Sequence, residues 1–124
     1  MSVKLEDLQI YQISMKLGDK IWDIVVKWDY LAKDTVGKQF IRAIDSVAAN
    51  ISEGYGRFHY KESKHFYYYS RGSLSESKTW LQKSFNRKLI NQTDYDELYS
   101  EMKVLSIKLN NYINSIGKTN ERMS

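Results

Sequence analysis

YDELYSEMKVLSIKLNNYINSI, residues 95–116, carries apolar side chains at Tyr95, Leu98, Met102, Leu105, Leu109, Tyr112 and Ile116. The spacing alternates three and four, which on an α-helix gathers these side chains into one seam. A repeat this regular predicts a helix over 93–116 whose stripe packs against other helices. Thr93 stands where a cap belongs, and Asp94, Asp96 and Glu97 suit the positive N-terminal end. Gly117 is placed to stop the helix, and 117–124 reads as a polar tail.

Working upstream, Asn91-Gln92-Thr93 breaks the chain, and a third helix is expected over 61–88, roughly 42 Å at 1.5 Å per residue. Its apolar side includes Phe66, Tyr69, Leu74, Leu81 and Phe85, interleaved with Ser70, Ser73, Ser77 and Ser84. Small residues at this spacing let a neighbouring helix come close. Tyr67, Tyr68 and Tyr69 cannot all face one core, because successive residues diverge by about 100°. At least one must be exposed or lie in an interface. The second helix is expected over 34–54, capped by Asp34 or Thr35, with Phe40, Ile44, Val47 and Ile51 as its stripe. The pair Gly54 and Gly56 offers left-handed conformations for its end.

The first helix is expected over 7–28, with Asp7 as cap. It carries two adjacent stripes: Leu8, Tyr11, Met15, Gly18, Trp22, Val25, and Ile10, Ile13, Leu17, Ile21, Ile24, Trp28. That arc is wider than one core face needs, so the helix should be buried on two sides. Four helices joined by connections of a few residues make neighbours antiparallel, and the fold class is all-α, an up-down-up-down four-helix bundle. The 124 residues form one domain, and the absence of proline removes the strongest helix breaker.

Composition also excludes functions. Without cysteine there is no disulfide, thiolate nucleophile or Cys-ligated metal. No apolar run reaches the roughly 18 residues of a membrane span. MSVKLEDLQIYQ has early acids and no apolar core of a signal peptide, so a cytoplasmic location is expected. The net charge of +4 is unevenly spread: residues 33–88 hold eleven bases against five acids, while each flank is slightly acidic. Such asymmetry marks a nucleic-acid footprint or, more plainly, a solvated lysine face.

No catalytic constellation emerges. Glu62 and His65 have Glu-x-x-His spacing, but a di-iron bundle needs a second such motif. The two histidines, His59 and His65, point about 120° apart on a helix. Neither a G-x-S-x-G elbow nor a phosphate loop is present. No metal, no cofactor and no enzyme activity are expected.

The most suggestive stretch is GYGRFHYKESK, residues 54–64. It sets Arg57, Lys61 and Lys64 among Tyr55, Phe58 and Tyr60. Bases pair with phosphates, and exposed rings stack on unpaired bases. The plainer alternative is that the rings close the bundle end and the bases solvate the loop. Arg71, farther along the third helix, joins the candidate phosphate contacts. A second polar set, Arg42, Asn50, Glu53, Arg71 and Glu76, reads as inter-helix hydrogen bonds and ion pairs that hold register.

Residues 39–43 (QFIRA), 50–57 (NISEGYGR) and 71–76 (RGSLSE), with 5–12 (LEDLQIYQ) ahead of them, resemble the bacterial 23S rRNA intervening-sequence protein family. The family pattern runs approximately QIRRAA…SIPANIAEGxGR…FLxxARGSLxE, and the resemblance covers about Leu5 to Ile116. Proline usual in the family after the first helix and within the second motif is missing here, where Trp28-Asp29 and Ser46 to Asn50 stand. Its loss should leave the second helix straighter. The resemblance implies a four-helix bundle that assembles as a ring-like homo-oligomer, a pentamer. It also points to the accessory variability proteins of diversity-generating retroelements, basic bundles that associate with nucleic acid and a reverse transcriptase. The family name records a genetic location rather than an activity. The resulting expectation is a non-catalytic oligomer that binds RNA or another nucleic acid. The rival is a protein–protein scaffold whose wide first helix and tyrosine-rich third helix recruit a partner.

Overall fold

A computed structural model describes residues 3–117. Every regular element among them is helical. A short 3₁₀ turn, Leu5–Asp7, precedes α1 (Gln9–Val25). Next comes α2, built of three consecutive pieces: Tyr30–Ala32, a π-helical Lys33–Gly37, and Lys38–Tyr55. Helices α3 (Tyr60–Asn86) and α4 (Gln92–Ser115) complete the chain. Each of these four helices packs on its sequence neighbour or neighbours, and α4 also packs on α1, with the α2–α3 contact the most extensive.

The caps differ from expectation at three of four helix starts. Asp7 lies inside the 3₁₀ turn, so Leu8 flanks α1, and Gln12 ties that turn down by donating to the Glu6 carbonyl at 2.7 Å. Asp29, not Asp34 or Thr35, caps α2, its carboxylate accepting from the Ala32 amide at 2.9 Å. That satisfies an orphan N–H one turn earlier, and Asp34 and Thr35 fall within the π turn. Asn91 rather than Thr93 caps α4, accepting from the Asp94 amide at 2.7 Å. Helix α1 ends at Val25, before the expected 28, because Trp28 turns inward and is buried. Gly117 has φ +87° just past α4, as its stop position requires. The rest of the tail, 118–124, lies outside the described residues.

One continuous core joins all four helices. It takes Leu17, Ile21 and Val25 from α1, Phe40, Ile44, Val47 and Ile51 from α2, and Leu98, Met102, Leu105 and Leu109 from α4. The seam that opened the sequence reading is therefore the α4 core face, with Ile113 added. Helix α3 differs from its expected face. Its buried side is Ser63, Tyr67, Ser70, Leu74, Ser77, Leu81 and Ser84, while Tyr69 is exposed and Phe66 half-buried. Of the tyrosine run, Tyr67 goes inward. Burial and then the neighbouring Tyr112 push its hydroxyl pKa above the ordinary range. Tyr68 and Tyr69 stay outside.

The glycines of the α2 end also act differently from expectation. Gly56 is right-handed, at φ −77°, and Gly54 ends inside the helix, so neither supplies a left-handed turn. Gly54 is required by proximity. A Cβ there would stand 2.7 Å from Tyr67 Cε1 and 3.1 Å from the Ser63 carbonyl oxygen. Small side chains thus let α2 and α3 touch backbone to ring, and Ser70 donates across the seam to the Val47 carbonyl at 2.6 Å.

Candidate nucleic-acid interface

The bases of residues 33–88 lie on α2, α3 and their flanking turns, the two helices in closest contact. Their chemical availability differs residue by residue. Arg57 is held between Glu53 (3.1 Å) and Glu62 (3.7 Å), with its guanidinium 4.6 Å from the Phe66 ring centroid. Its charge is compensated, and it clamps the α2–α3 turn. Lys38 faces Asp34 at 3.2 Å. Lys20 is clasped by Glu97 and Glu101, whose hydrogen bonds (Glu101 foremost) raise its pKa.

Along one flank of α3 the situation reverses. Lys64, Arg71 and Lys78 recur every seven residues, so they stand in a row, each about 10.5 Å from the next along the helix axis. Among the described residues no carboxylate lies within 4.0 Å of any of them. Their recorded partners are neutral. Arg71 donates to Asn110 Oδ1 at 3.2 Å and lies 5.0 Å from the Tyr68 ring centroid. Lys78 donates to Ser106 Oγ at 2.7 Å. Such contacts aim a cation without cancelling it. Lys61, exposed one turn before Lys64, extends the row to the helix start. Lys78 was missed in the sequence reading, although its seven-residue step from Arg71 is visible there.

The expected stacking rings divide. Phe58 is 92% exposed, its ring perpendicular to that of His59 at 5.2 Å between centroids. Tyr60 is half-exposed at the start of α3. Tyr55 instead donates its hydroxyl to the Val3 carbonyl, which fastens the N-terminal strand of chain to the end of α2. Lys61, Lys64, Phe58 and Tyr60 are thus gathered at one end of α3, Arg71 continues their row, and Arg57 and Tyr55 serve the turn.

The five-residue polar network does not form. Asn50 donates to the Ser46 carbonyl in its own helix at 2.8 Å, and Glu53 accepts from Arg57. Only Arg71 reaches another helix, and it reaches α4. Arg42 and Glu76 are exposed. The α2–α3 seam is too close for long polar side chains, because serines and Gly54 occupy it, so these residues were displaced to the outside.

A separate surface was foreseen in kind. On α1, Met15 and Trp22 (55%) are exposed, and Val26, Tyr30 and Leu31 add exposed apolar side chains at the bend that follows. The groove beside them holds Asp19 and Asp45. Burial, then the nearby Asp19, raises the Asp45 pKa. Among the described residues no three His, Asp or Glu side chains converge as metal ligands, and no helix is long and apolar enough to cross a membrane.

Comparison with known proteins places this arrangement. The family model described as "23S rRNA-intervening sequence protein" matches residues 6–111. The chain belongs to that family. No curated protein sequence matches. A crystal structure of a protein of unknown function from the S23 ribosomal protein family of Bacteroides thetaiotaomicron superposes with a TM-score of 0.76. It is 16% identical, with 86% of this chain and 96% of that chain covered, and this likeness concerns the fold alone.

Proposed function

We propose that this 23S rRNA-intervening sequence protein is a non-catalytic oligomer that binds RNA through the basic flank of α3. Lys61, Lys64, Arg71 and Lys78 contact phosphates, and Phe58 and Tyr60 stack on unpaired bases at the helix start. The observation that carries the reading is the row of cations with neutral partners, set against the paired Lys20, Lys38 and Arg57 elsewhere. The resemblance to the accessory variability proteins belongs to the same reading, since those are basic bundles that associate with nucleic acid. The bundle is up-down-up-down and assembles in a ring, as a pentamer in the cytoplasm.

Filter binding of a single-stranded RNA at 50 and 200 mM salt tests it. Four phosphate contacts predict a log–log salt slope of about −3, which is roughly a fifty-fold loss over that range. The variant Lys64→Glu/Arg71→Glu/Lys78→Glu should abolish binding while keeping helical circular dichroism. Arg57→Glu should retain most of it. Salt-insensitive binding, or full binding by the triple variant, would sink the proposal.

A protein-scaffold reading is favoured by one observation, the apolar α1 edge, which exceeds the scattered exposure of a monomer. In the oligomer that edge is the subunit contact, with Trp22 as its anchor. Trp22→Glu should dissociate the assembly in light scattering without unfolding it. Trp28 is buried in the core, so Trp28→Glu tests folding instead. An intact oligomer from Trp22→Glu would remove α1 from the interface.

A further inference from the structure

Away from the Gly54 turn, the start of α2 lies beside the last turns of α3. A cleft of about 480 Å³ opens there between the π turn of α2 and the last turns of α3. Thr35 and Gln39 line one wall, and Trp80, Lys83 and Arg87 the other. Steps of three and four put those α3 residues on one side of the helix, the flank opposite Lys64, Arg71 and Lys78. The two basic surfaces are therefore distinct.

From this arrangement we infer that the cleft binds the phosphate ester of a nucleotide, with Lys83 and Arg87 on the phosphate and Trp80 against the base or sugar. The cleft matches the volume that holds small ligands. Its lining offers an ammonium, a guanidinium and an amide as donors suited to phosphate oxygens, while the Thr35 hydroxyl already donates to the Leu31 carbonyl at 2.7 Å. Asp34 is its one carboxylate, and that group is engaged by Lys38 at 3.2 Å. Among the described residues neither Lys83 nor Arg87 has a carboxylate within 4.0 Å.

The local backbone marks the same place. Lys33–Gly37 is π-helical, a rare arrangement that is frequent at functional sites. It is packed so tightly that a Cβ on Gly37 would stand 2.7 Å from Val25 Cγ1. Trp28 and Trp80 both have a buried indole N–H with no acceptor among the described residues, and Trp28 lies against Gly37. A basic end of α3 alone would be accounted for by the helix dipole. The dipole explains neither the cleft, the tryptophan wall nor the π turn.

The phosphate has two sources, a free nucleotide or the 5′ end of an RNA strand, and calorimetric titration of the full chain separates them. The probes are AMP, adenosine, and RNA decamers with 5′-phosphate or 5′-hydroxyl ends. AMP should bind saturably and adenosine should not. If the decamer pair alone is discriminated, the cleft takes RNA ends. Lys83→Gln/Arg87→Gln should weaken the phosphorylated ligand about a hundredfold, roughly tenfold for each charge-assisted hydrogen bond. Lys64→Gln/Arg71→Gln should leave AMP binding and the preference between the two decamers unchanged, even as it weakens both decamers through the α3 row, so failure here is separable from failure of that row. On the unmodified chain, AMP or the phosphorylated decamer should shift the NMR signals of the Trp80 indole and the Gln39 amide. Equal binding of phosphorylated and unphosphorylated probes, or shifts confined to other residues, would overturn the assignment.

Discussion

Helices α3 and α4 both repeat every seven residues and both face the same core, yet they use the repeat in opposite ways. In α4 the seam is Leu98, Met102, Leu105 and Leu109, and it contributes by burying apolar area. In α3 every seventh position is serine: Ser63, Ser70, Ser77 and Ser84, all buried, with Tyr67, Leu74 and Leu81 between them. The serines contribute by being small. They bring α2 within contact of the α3 backbone, and each recorded hydroxyl finds a carbonyl: Ser70 across the seam, Ser77 and Ser84 four residues back in their own helix. One helix fills the core and the other narrows it. The outer surfaces differ accordingly, with α3 carrying the row of available cations and α4 exposing Tyr99, Val104 and Ile107.

Substitutions at matched seam positions break or sharpen this contrast, and urea denaturation reads them. Leu105→Ala should cost the most, about 2–5 kcal/mol, because a fully buried side chain leaves a cavity. Ser70→Leu, which makes α3 resemble α4, should also destabilise, by about 1–3 kcal/mol, because the seam has no room for the added carbons. A neutral or stabilising Ser70→Leu would refute close approach as the role of the serines. Smaller effects separate the serines themselves. Ser70→Ala should cost about 1 kcal/mol through the lost bond to Val47, while Ser77→Ala, bonded only to Ser73 in its own helix, should cost roughly nothing. Equal costs would mean that the cross-seam bond adds no stability.

The α4 seam was legible because leucine at three-four spacing has one common meaning. The α3 seam was half-legible. Spacing marks Ser70, Ser77 and Ser84 as close-packing residues, but it puts Phe66 and Tyr69 in the core where Tyr67 is. Hydrophobicity ranks all three rings alike, and only the partner's position at Gly54 selects among them. The candidate interface divided along similar lines. Lys61, Lys64 and Arg71 share a helix face that spacing reveals. Arg57 was indistinguishable from them until Glu53 and Glu62 were seen beside it.

Periodicity, the absence of proline and cysteine, and the three motifs were enough by themselves for an all-helical chain of four main helices and for the family. These properties depend on residues close in sequence, where helix geometry is known in advance. Which tyrosine enters the core, where Arg71 finds its neutral partner on α4 and where a cleft opens between α2 and α3 were decided by tertiary structure. Each depends on the distance between groups far apart in the chain, and that distance exists only once the helices have packed.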